Sequence, residues 1–449
     1  MRALSLDSFS PAAGFARVTL VFSIALTACS SSESSGLPGV PGPWDWVGVV
    51  GTGQSLSVGT TPITSTKQPY HNLKLSLGSV VVPPWDPTNT AFKMVPLTEP
   101  IRALETGYPS PYPGNIYGET PHSAMANEIT SLVKKAAPDR DYVTVHTVVG
   151  ESGQGIIALN KQAGDTTGDT GRAYAATLFE AGAITRLAKT AGKTYGIGVI
   201  VMTHGETDSG SSTYEDDLIQ LRTEYNTDLP PITGQTQKIP MFLSQQFGYP
   251  QTAGQQPVAN QVEWRLGVDH AGDFVCTGPK YQYPGFGDGV HLSAVGYQLL
   301  GEKTGQVFFE RMLQAHDWQP LQPTSASRSG RVITVHFHVP VPPLDWDDTL
   351  DPPLAWANGR GFEVNAGATK VEISSVAISG DDVQITCASD LPAGSGIVVG
   401  YAMTSGGTQL TVASKAYRWG QLRDSDPFVG STTNMPNPNY AVSFQMNVP

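Results

Sequence analysis

Basic residues are scarce in this sequence: 27 Lys and Arg stand against 39 Asp and Glu, and the basic ones form no cluster. Nucleic-acid binding needs grouped Lys or Arg to neutralise phosphates, so this shortage excludes a nucleic-acid partner. Charged residues make up 15% of the chain and hydrophobic residues 39%. That balance excludes a disordered chain and indicates a folded globular protein.

Cysteine is also rare, with three in 449 residues. No Cys or His cluster has the spacing of a zinc site, so we expect no metal. Cys276 and Cys387 fall in what we predict below to be different domains. This favours two buried free thiols over a disulfide, although export would permit one.

The N-terminal apolar run, residues 18–28, is too short to cross a bilayer as a mature helix. It follows Arg2 and Arg17 and ends in small residues, which is typical of a secretory signal peptide. Residues 26–29 read Leu-Thr-Ala-Cys and resemble the lipobox of bacterial lipoproteins. In that family Cys29 would become the lipidated first residue; the alternative is an ordinary signal peptide with a chance cysteine.

We therefore expect a signal peptide over residues 1–28 and a Ser-, Gly- and Pro-rich tether over 29–43. The protein would be exported and held in the bacterial cell envelope by a lipid on Cys29, or else secreted. Ser30 resembles an outer-membrane rather than an inner-membrane sorting signal.

Apolar runs then alternate with amphipathic segments. The predicted strands are 46–50, 142–149, 196–202, 239–244 and 274–276, and the predicted helices are 120–136, 171–191, 213–226, 256–267 and 293–313, the last capped by Ser293. This alternation predicts βαβ units and a three-layer α/β/α domain with a parallel sheet over residues 44–318. Residues 60–118 are rich in Pro, Gly, Thr and Tyr and indicate a long excursion around a pocket.

The pattern changes near residue 319. Residues 332–339 and 383–386 alternate with period two, and turn residues separate short strands to the end of the chain. We interpret residues 319–449 as a smaller all-β sandwich domain. Trp346 is placed on a loop, where it either stacks on a sugar or, more often for such a residue, caps the core. Residues 420–426 are interpreted as a tight turn that docks on the preceding α/β domain.

Two segments carry the residues of nucleophilic catalysis. Residues 51–59 follow the first strand, and their glycines permit a tight turn that presents Ser55. Asp288 and His291 are three residues apart on a loop before a helix. A carboxylate so placed can hold an imidazole by one nitrogen and leave the other to take a serine proton. Each segment alone also fits an ordinary turn or cap.

Two further turns follow predicted strands, residues 150–155 and 203–208. Because ligands bind beyond the carboxyl ends of parallel strands, both would lie at the edge that carries Ser55. Their backbone N–H groups are suited to hold a developing oxyanion. The Gly-x-Ser-x-Gly elbow of α/β-hydrolases is absent, which disfavours that fold.

Together these four segments resemble the blocks of the SGNH (GDSL-like) hydrolase superfamily, in its sialate O-acetylesterase-like carbohydrate-esterase branch. The resemblance covers roughly residues 46–315 and rests on Gly-Gln-Ser at 53–55, Gly150, the His-Gly-Glu-Thr-Asp block at 204–208, and Asp-x-x-His at 288–291. It implies Ser55 as nucleophile, His291 as base and Asp288 as its orienting acid.

The resemblance also implies an oxyanion hole made by the Ser55 and Gly150 N–H groups. Thr207 stands where the superfamily has an asparagine whose side chain donates to the oxyanion. His204 stands where the branch usually has a glutamine. The third hydrogen-bond donor is therefore either Thr207 or His204. Gln54 and Glu206 are expected to bind substrate.

We expect an esterase that removes acetyl or other short acyl groups from a carbohydrate, without a metal or other cofactor. The alternatives are a lipid or polyester esterase or thioesterase with the same triad, and a non-catalytic surface glycan-binding lipoprotein.

Overall fold

A computed structural model describes most of the chain beyond the N-terminal segment. The described residues are 44–59, 62–76, 86–101, 118–161, 170–246, 257–288, 290–350, 356, 358–392, 396–403 and 420–449. The predicted signal peptide, Cys29 and the predicted tether lie outside them, so export and lipidation stay predictions. In the part of the chain that is described, no helix combines the length and apolar character needed to cross a membrane.

A seven-stranded sheet forms the centre of the α/β part. Its strands are β1 Trp46–Gly53, β2 Leu73–Leu75, β3 Met94–Pro96, β4 Val143–Val148, β5 Tyr195–Thr203, β6 Met241–Ser244 and β7 Phe274–Gly278. The order across the sheet is β3-β2-β4-β1-β5-β6-β7. All neighbours pair in parallel except β2 and β3, which are antiparallel.

Helices cover both faces of this sheet. They are α1 Ser55–Val58, α2 Pro121–Ala136, α3 Ile156–Leu159, α4 Arg172–Thr190, α5 Tyr214–Thr233, α6 Val258–Asp269 and α7 Ala294–Phe308, the last continued by a π-helical turn, Phe309–Leu313. Val47 and Val49 of β1 pack with residues of α2 and α7, whereas Val50 packs with residues of α3 to α6. Successive side chains of a strand point to opposite faces, so this division places β1 between two helical layers. The predicted three-layer α/β/α fold is confirmed.

Two strands within residues 60–118 were not predicted. The segment was interpreted as a long excursion around a pocket, without strands of its own, but β2 and β3 extend the sheet at one edge. Each has three residues. A run that short shows no periodicity, which is why the sequence pattern missed them.

Among its described residues, the C-terminal part forms antiparallel sheets. Its strands are β8 Gln322–Ser329, β9 Val332–His338, β10 Asp345–Trp346, β11 Phe362–Ala366, β12 Thr369–Lys370, β13 Ile373–Ser379, β14 Asp382–Cys387, β15 Ile397–Tyr401, β16 Leu422–Arg423 and β17 Phe444–Val448. Two four-stranded sheets, β13-β14-β9-β8 and β12-β11-β15-β17, share one hydrophobic core. This is the predicted β-sandwich.

Trp346 does not lie on a loop, as predicted, but in β10, which pairs with β16. It packs half-buried against the core, and the Arg360 guanidinium lies 4.9 Å from its ring centroid. Residues 420–426 include β16 rather than a tight turn, and they do contact the α/β part: Asp426 accepts a hydrogen bond from Gln306 at 2.9 Å. Cys276 and Cys387 are both free and buried, as expected.

The sandwich and the α/β part lie in one compact unit, Leu37–Pro449. A single hydrophobic cluster joins Leu56 and Leu292 of the α/β part to the sandwich core. The C-terminal segment 428–443 also packs on α7, where Glu302 accepts hydrogen bonds from the Thr432 and Thr433 N–H groups, both at 2.7 Å. The boundary near residue 319 stays a prediction, since the two parts share one core.

Candidate active site

Ser55 begins α1 directly after the central strand β1. Gly53 makes this turn possible: its φ is +133°, and a Cβ there would lie 2.1 Å from the Thr203 carbonyl oxygen. Only glycine tolerates both the backbone conformation and the contact. The turn leaves Ser55 largely buried, with 7% of its surface exposed, at the carboxyl edge of the sheet.

Asp288 and His291 lie on the loop before α7, and Asp288 holds this loop by three contacts. Its Oδ1 accepts the Val290 and His291 N–H groups at 3.0 and 2.9 Å, and its Oδ2 lies 2.5 Å from His291 Nδ1. Ser293 caps α7 by accepting the Gly296 N–H, as predicted. The carboxylate thus fixes both the backbone and the ring of His291.

The other ring nitrogen of His291 faces the serine. Nε2 lies 2.8 Å from Ser55 Oγ. Because a carboxylate only accepts hydrogen bonds, His291 Nδ1 carries the proton toward Asp288 and Nε2 is the acceptor for the serine hydroxyl. This is the geometry that general-base activation of a serine requires.

The environment keeps Asp288 ionised. Burial by itself would raise the pKa of this carboxyl, but the hydrogen bonds from the His291 and Val290 groups outweigh it and lower the pKa below the ordinary value of 3.8. A permanent carboxylate beside Nδ1 stabilises the imidazolium that forms when His291 takes a proton.

Gly150 lies against the Ser55 turn. A Cβ at this position would lie 1.9 Å from Ser57 Oγ and 2.7 Å from the Gly53 carbonyl oxygen. The next residue is tied to the same turn, since the Glu151 N–H donates to that carbonyl at 2.8 Å. A side chain at residue 150 would therefore push the strand β4 end away from the serine.

A buried ion pair secures this second segment. The Arg172 Nε donates to Glu151 Oε1 at 2.6 Å, its Nη2 donates to Oε2, and both side chains are about 1% exposed. Bidentate pairs of this kind fix orientation as well as position. Arg172 was not predicted, because nothing in its local pattern distinguishes it from a surface arginine at the start of a helix.

His204 does not face the serine. Its Nε2 donates to the Gln154 carbonyl at 3.0 Å, and its Nδ1 accepts from the Tyr214 hydroxyl at 3.0 Å. Burial lowers the pKa of His204, so the ring is neutral. Because both nitrogens are engaged in the protein interior, His204 is not placed to donate to an oxyanion, contrary to its expected candidacy.

Gln54 and Glu206, expected to bind substrate, make internal contacts instead. The Gln54 Oε1 accepts the Thr207 N–H at 3.1 Å, which ties the third segment to the serine turn. Glu206 forms an ion pair with Lys280 at 3.1 Å, and both side chains are almost fully buried. Thr207 itself is exposed beside this turn. Of the two candidate third donors, Thr207 is the exposed one, and its role stays a prediction.

Comparison with protein-family models gave no match, and comparison with curated proteins gave none either. Solved structures do match. A carbohydrate acetylesterase from Xanthomonas citri, XAC1771, aligns with 89% of this chain and 80% of its own, at 11% identity and a TM-score of 0.51. The chain shares its fold with this acetylesterase.

Two further structures are similar over a smaller part of the chain. A protein from Arabidopsis thaliana covers 60% of this chain and 100% of its own at 15% identity and a TM-score of 0.41. NanS covers 60% of this chain and 98% of its own at 12% identity and a TM-score of 0.37. These weaker likenesses carry no conclusion about this protein.

Proposed function

We propose that the protein is a serine esterase of the SGNH superfamily that removes acetyl or other short acyl groups from a carbohydrate. The observation that carries the proposal is the relay from Asp288 through His291 to Ser55, with distances of 2.5 and 2.8 Å. The fold shared with an acetylesterase agrees with this reaction class but leaves the substrate open.

In the proposed reaction, Ser55 Oγ attacks the ester carbonyl while His291 Nε2 takes its proton. The tetrahedral intermediate collapses, the sugar oxygen leaves with the proton from His291, and the acyl group stays on Ser55. A water then attacks this ester, gives its proton to His291 and releases the carboxylic acid as Ser55 regains its proton.

The negative oxygen of each intermediate needs hydrogen-bond donors. The backbone N–H groups of Ser55 and Gly150 are the proposed donors, because Gly150 packs against the Ser55 turn. Thr207, held to the same turn through Gln54, is the proposed third donor. Loss of one such donor costs about 3 to 4 kcal/mol of transition-state stabilisation in other hydrolases.

The first experiment measures acetate release by the purified protein from acetylated polysaccharides, alongside hydrolysis of p-nitrophenyl esters of increasing chain length. The proposal expects acetate release and a preference for the shortest esters. A preference for long-chain esters without acetate release would instead support a lipid or polyester esterase. No hydrolysis of p-nitrophenyl acetate would contradict both and leave a glycan-binding protein.

The predicted lipobox extends the proposal to location. Lipidated at Cys29, the enzyme would act at the bacterial cell envelope, on the outer membrane rather than the inner one, or would be secreted if Cys29 is not modified. Its partners would then be an acylated carbohydrate and, through the lipid alone, the membrane.

A further inference from the structure

Lys303 of α7 lies in the protein interior, where this helix packs against the last part of the chain. Its side chain is almost fully buried, and its Nζ lies 2.9 Å from Asn439 Oδ1, a residue 136 positions away in the sequence. Asn439 is buried as well, with 5% of its surface exposed. A primary amine and a carboxamide therefore meet away from solvent.

Two aspartates flank the carboxamide of Asn439. Asp424 is fully buried, and its Oδ2 accepts a hydrogen bond from Asn439 Nδ2 at 2.8 Å. Asp426 Oδ2 lies 3.3 Å from the same Nδ2 and 3.5 Å from Lys303 Nζ. One carboxylate oxygen thus faces both the amine nitrogen and the amide nitrogen, while the second aspartate fixes the orientation of the amide.

The surroundings of Lys303 favour its neutral form. Burial lowers the pKa of this amine to about 8, although the nearby Asp426 and Asp424 oppose the shift. The Phe428 ring adds an apolar neighbour, with its centroid 5.1 Å from Nζ. A lysine attacks a carbonyl carbon only as the free amine, so the lowered pKa supplies a nucleophile near neutral pH.

An ammonium ion is also a costly group to keep at this position, because it has lost its hydration. Joining the amine to the amide carbon would replace the ion with a neutral secondary amide beside the same carboxylates. The fold already holds the two groups in contact, and proximity of this kind removes much of the entropic barrier to a reaction.

We propose that Lys303 and Asn439 form an intramolecular isopeptide bond, with Asp426 as the proton carrier. Lys303 Nζ attacks Asn439 Cγ to form a carbon–nitrogen bond, and one Nζ proton passes to Asp426 Oδ2. The same oxygen delivers a proton to Nδ2, the Cγ–Nδ2 bond breaks, and ammonia leaves. An amine and a carboxamide give a secondary amide and ammonia, with no change in oxidation state.

The bond would fasten the end of the chain to the helix that follows the catalytic loop, since α7 begins at Ala294, just after His291. A covalent tie there would resist separation of the C-terminal segment from α7. It is independent of the proposed esterase reaction, because neither Lys303 nor Asn439 belongs to the triad.

Peptide mapping of the full-length protein by mass spectrometry, after incubation of the folded protein above pH 8, tests the bond. Trypsin does not cleave after a lysine whose Nζ is acylated, and residues 424–449 contain no Lys or Arg. Linked protein therefore yields a branched product of residues 281–311 and 424–449. This product is lighter than its two free peptides together by one ammonia, about 17 Da.

Three variants show which groups form the bond. Lys303→Arg removes the attacking amine, and Asp426→Asn removes the proton carrier but keeps both partners. Gln306→Leu is the matched control, because Gln306 Oε1 also contacts Lys303 Nζ, at 2.6 Å, but contributes no atom to the bond. Thermal melting identifies the variants that fold.

We expect the branched product in most molecules of the wild-type and Gln306→Leu proteins. The linked fraction should be at least about tenfold smaller in Asp426→Asn, which lacks the proton carrier, and zero in Lys303→Arg.

Separate peptides 281–303 and 424–449 from the wild-type protein, each at the mass of its sequence, would overturn the proposal, whether or not any variant folds. Ammonia loss that maps to another peptide would overturn it as well. An undiminished branched product in folded Asp426→Asn protein would contradict the proton transfer assigned to Asp426.

Discussion

Ser55 and His291 are 236 residues apart in the sequence, yet their Oγ and Nε2 atoms lie 2.8 Å apart. The residues that follow them, Leu56 and Leu292, are fully buried in one hydrophobic cluster that continues into the sandwich core. Packing of Leu56 and Leu292 therefore helps to hold Ser55 Oγ and His291 Nε2 at this distance, and the β-sandwich contributes to that packing. The sandwich therefore has a structural connection to the candidate site.

Asp288→Asn should lower kcat by about 10³- to 10⁴-fold with little change in substrate binding, because an amide no longer enforces the tautomer of His291 that accepts the serine proton. The double variant Asp288→Asn/His291→Ala should be little slower than His291→Ala alone, since residues that act as one unit are not additive. Steady-state kinetics on p-nitrophenyl acetate measures all three. If the double variant instead showed the product of the two single losses in kcat, Asp288 and His291 would not act as one catalytic unit.

The sequence predicted those elements whose signal is local. The buried apolar runs of β1, β4 and β5 are long enough to be recognised as strands. The Ser293 cap depends only on the residue type at the start of the helix. The positions of Ser55, Asp288 and His291 followed from turns placed after strands, because parallel strands bring their carboxyl ends to one edge.

Long-range partners could not be predicted in the same way. Glu206 had the features of a substrate-binding carboxylate, but Lys280 lies 74 positions further along the chain and nothing local couples the two. His204 was likewise a candidate donor until its contacts with Tyr214 and Gln154 placed it in the interior. Helix α5 extends to Thr233 rather than 226, through Pro230 and Pro231, which sequence reasoning treats as breakers.

Arg172→Met should destabilise the protein by about 3 to 5 kcal/mol, because it leaves the Glu151 carboxylate buried without its charge partner. Replacing both residues, as Glu151→Gln/Arg172→Met, should cost less than the single change. Urea denaturation of the two variants and the wild type measures the difference. A single variant as stable as the wild type would show that the pair is not needed to hold the Gly150 segment.

Glu99 should make stability depend on pH. Burial, reinforced by the nearby Glu119, raises its pKa from 4.5 to about 7 despite hydrogen bonds from Thr120, Ser123 and Ile101. Between pH 4.5 and 7 the folded state therefore holds a proton that the unfolded state has lost, so this group's contribution to stability falls as pH rises through that window.

Glu99→Gln should consequently flatten the fall in melting temperature between pH 5 and pH 8. Because other groups titrate over the same range, the comparison is the difference between variant and wild type at each pH. Parallel curves for the two proteins would mean that Glu99 does not titrate in this window.

Cys29→Ala should move the protein from the membrane fraction to a soluble fraction of the producing bacterium. The proposed lipid is the only anchor that we infer, and acyl chains supply membrane affinity in proportion to their buried length. Fractionation and immunoblotting provide the measurement, with a conservative change in the tether, Ser34→Ala, as the control. A Cys29→Ala protein that is exported and processed but stays on the membrane would contradict the lipobox interpretation.

The central claim is that Ser55 is the nucleophile, and kcat/KM of Ser55→Ala on p-nitrophenyl acetate tests it most directly. Ser57→Ala, two residues away in the same helix, is the control, because Ser57 Oγ donates to the Gln54 carbonyl, whereas Ser55 Oγ is the hydroxyl that lies against His291 Nε2. We predict a loss of at least about 10³-fold for Ser55→Ala, with an unchanged melting temperature, and a much smaller loss for Ser57→Ala. Folded Ser55→Ala protein that kept more than about a tenth of wild-type activity would contradict the account.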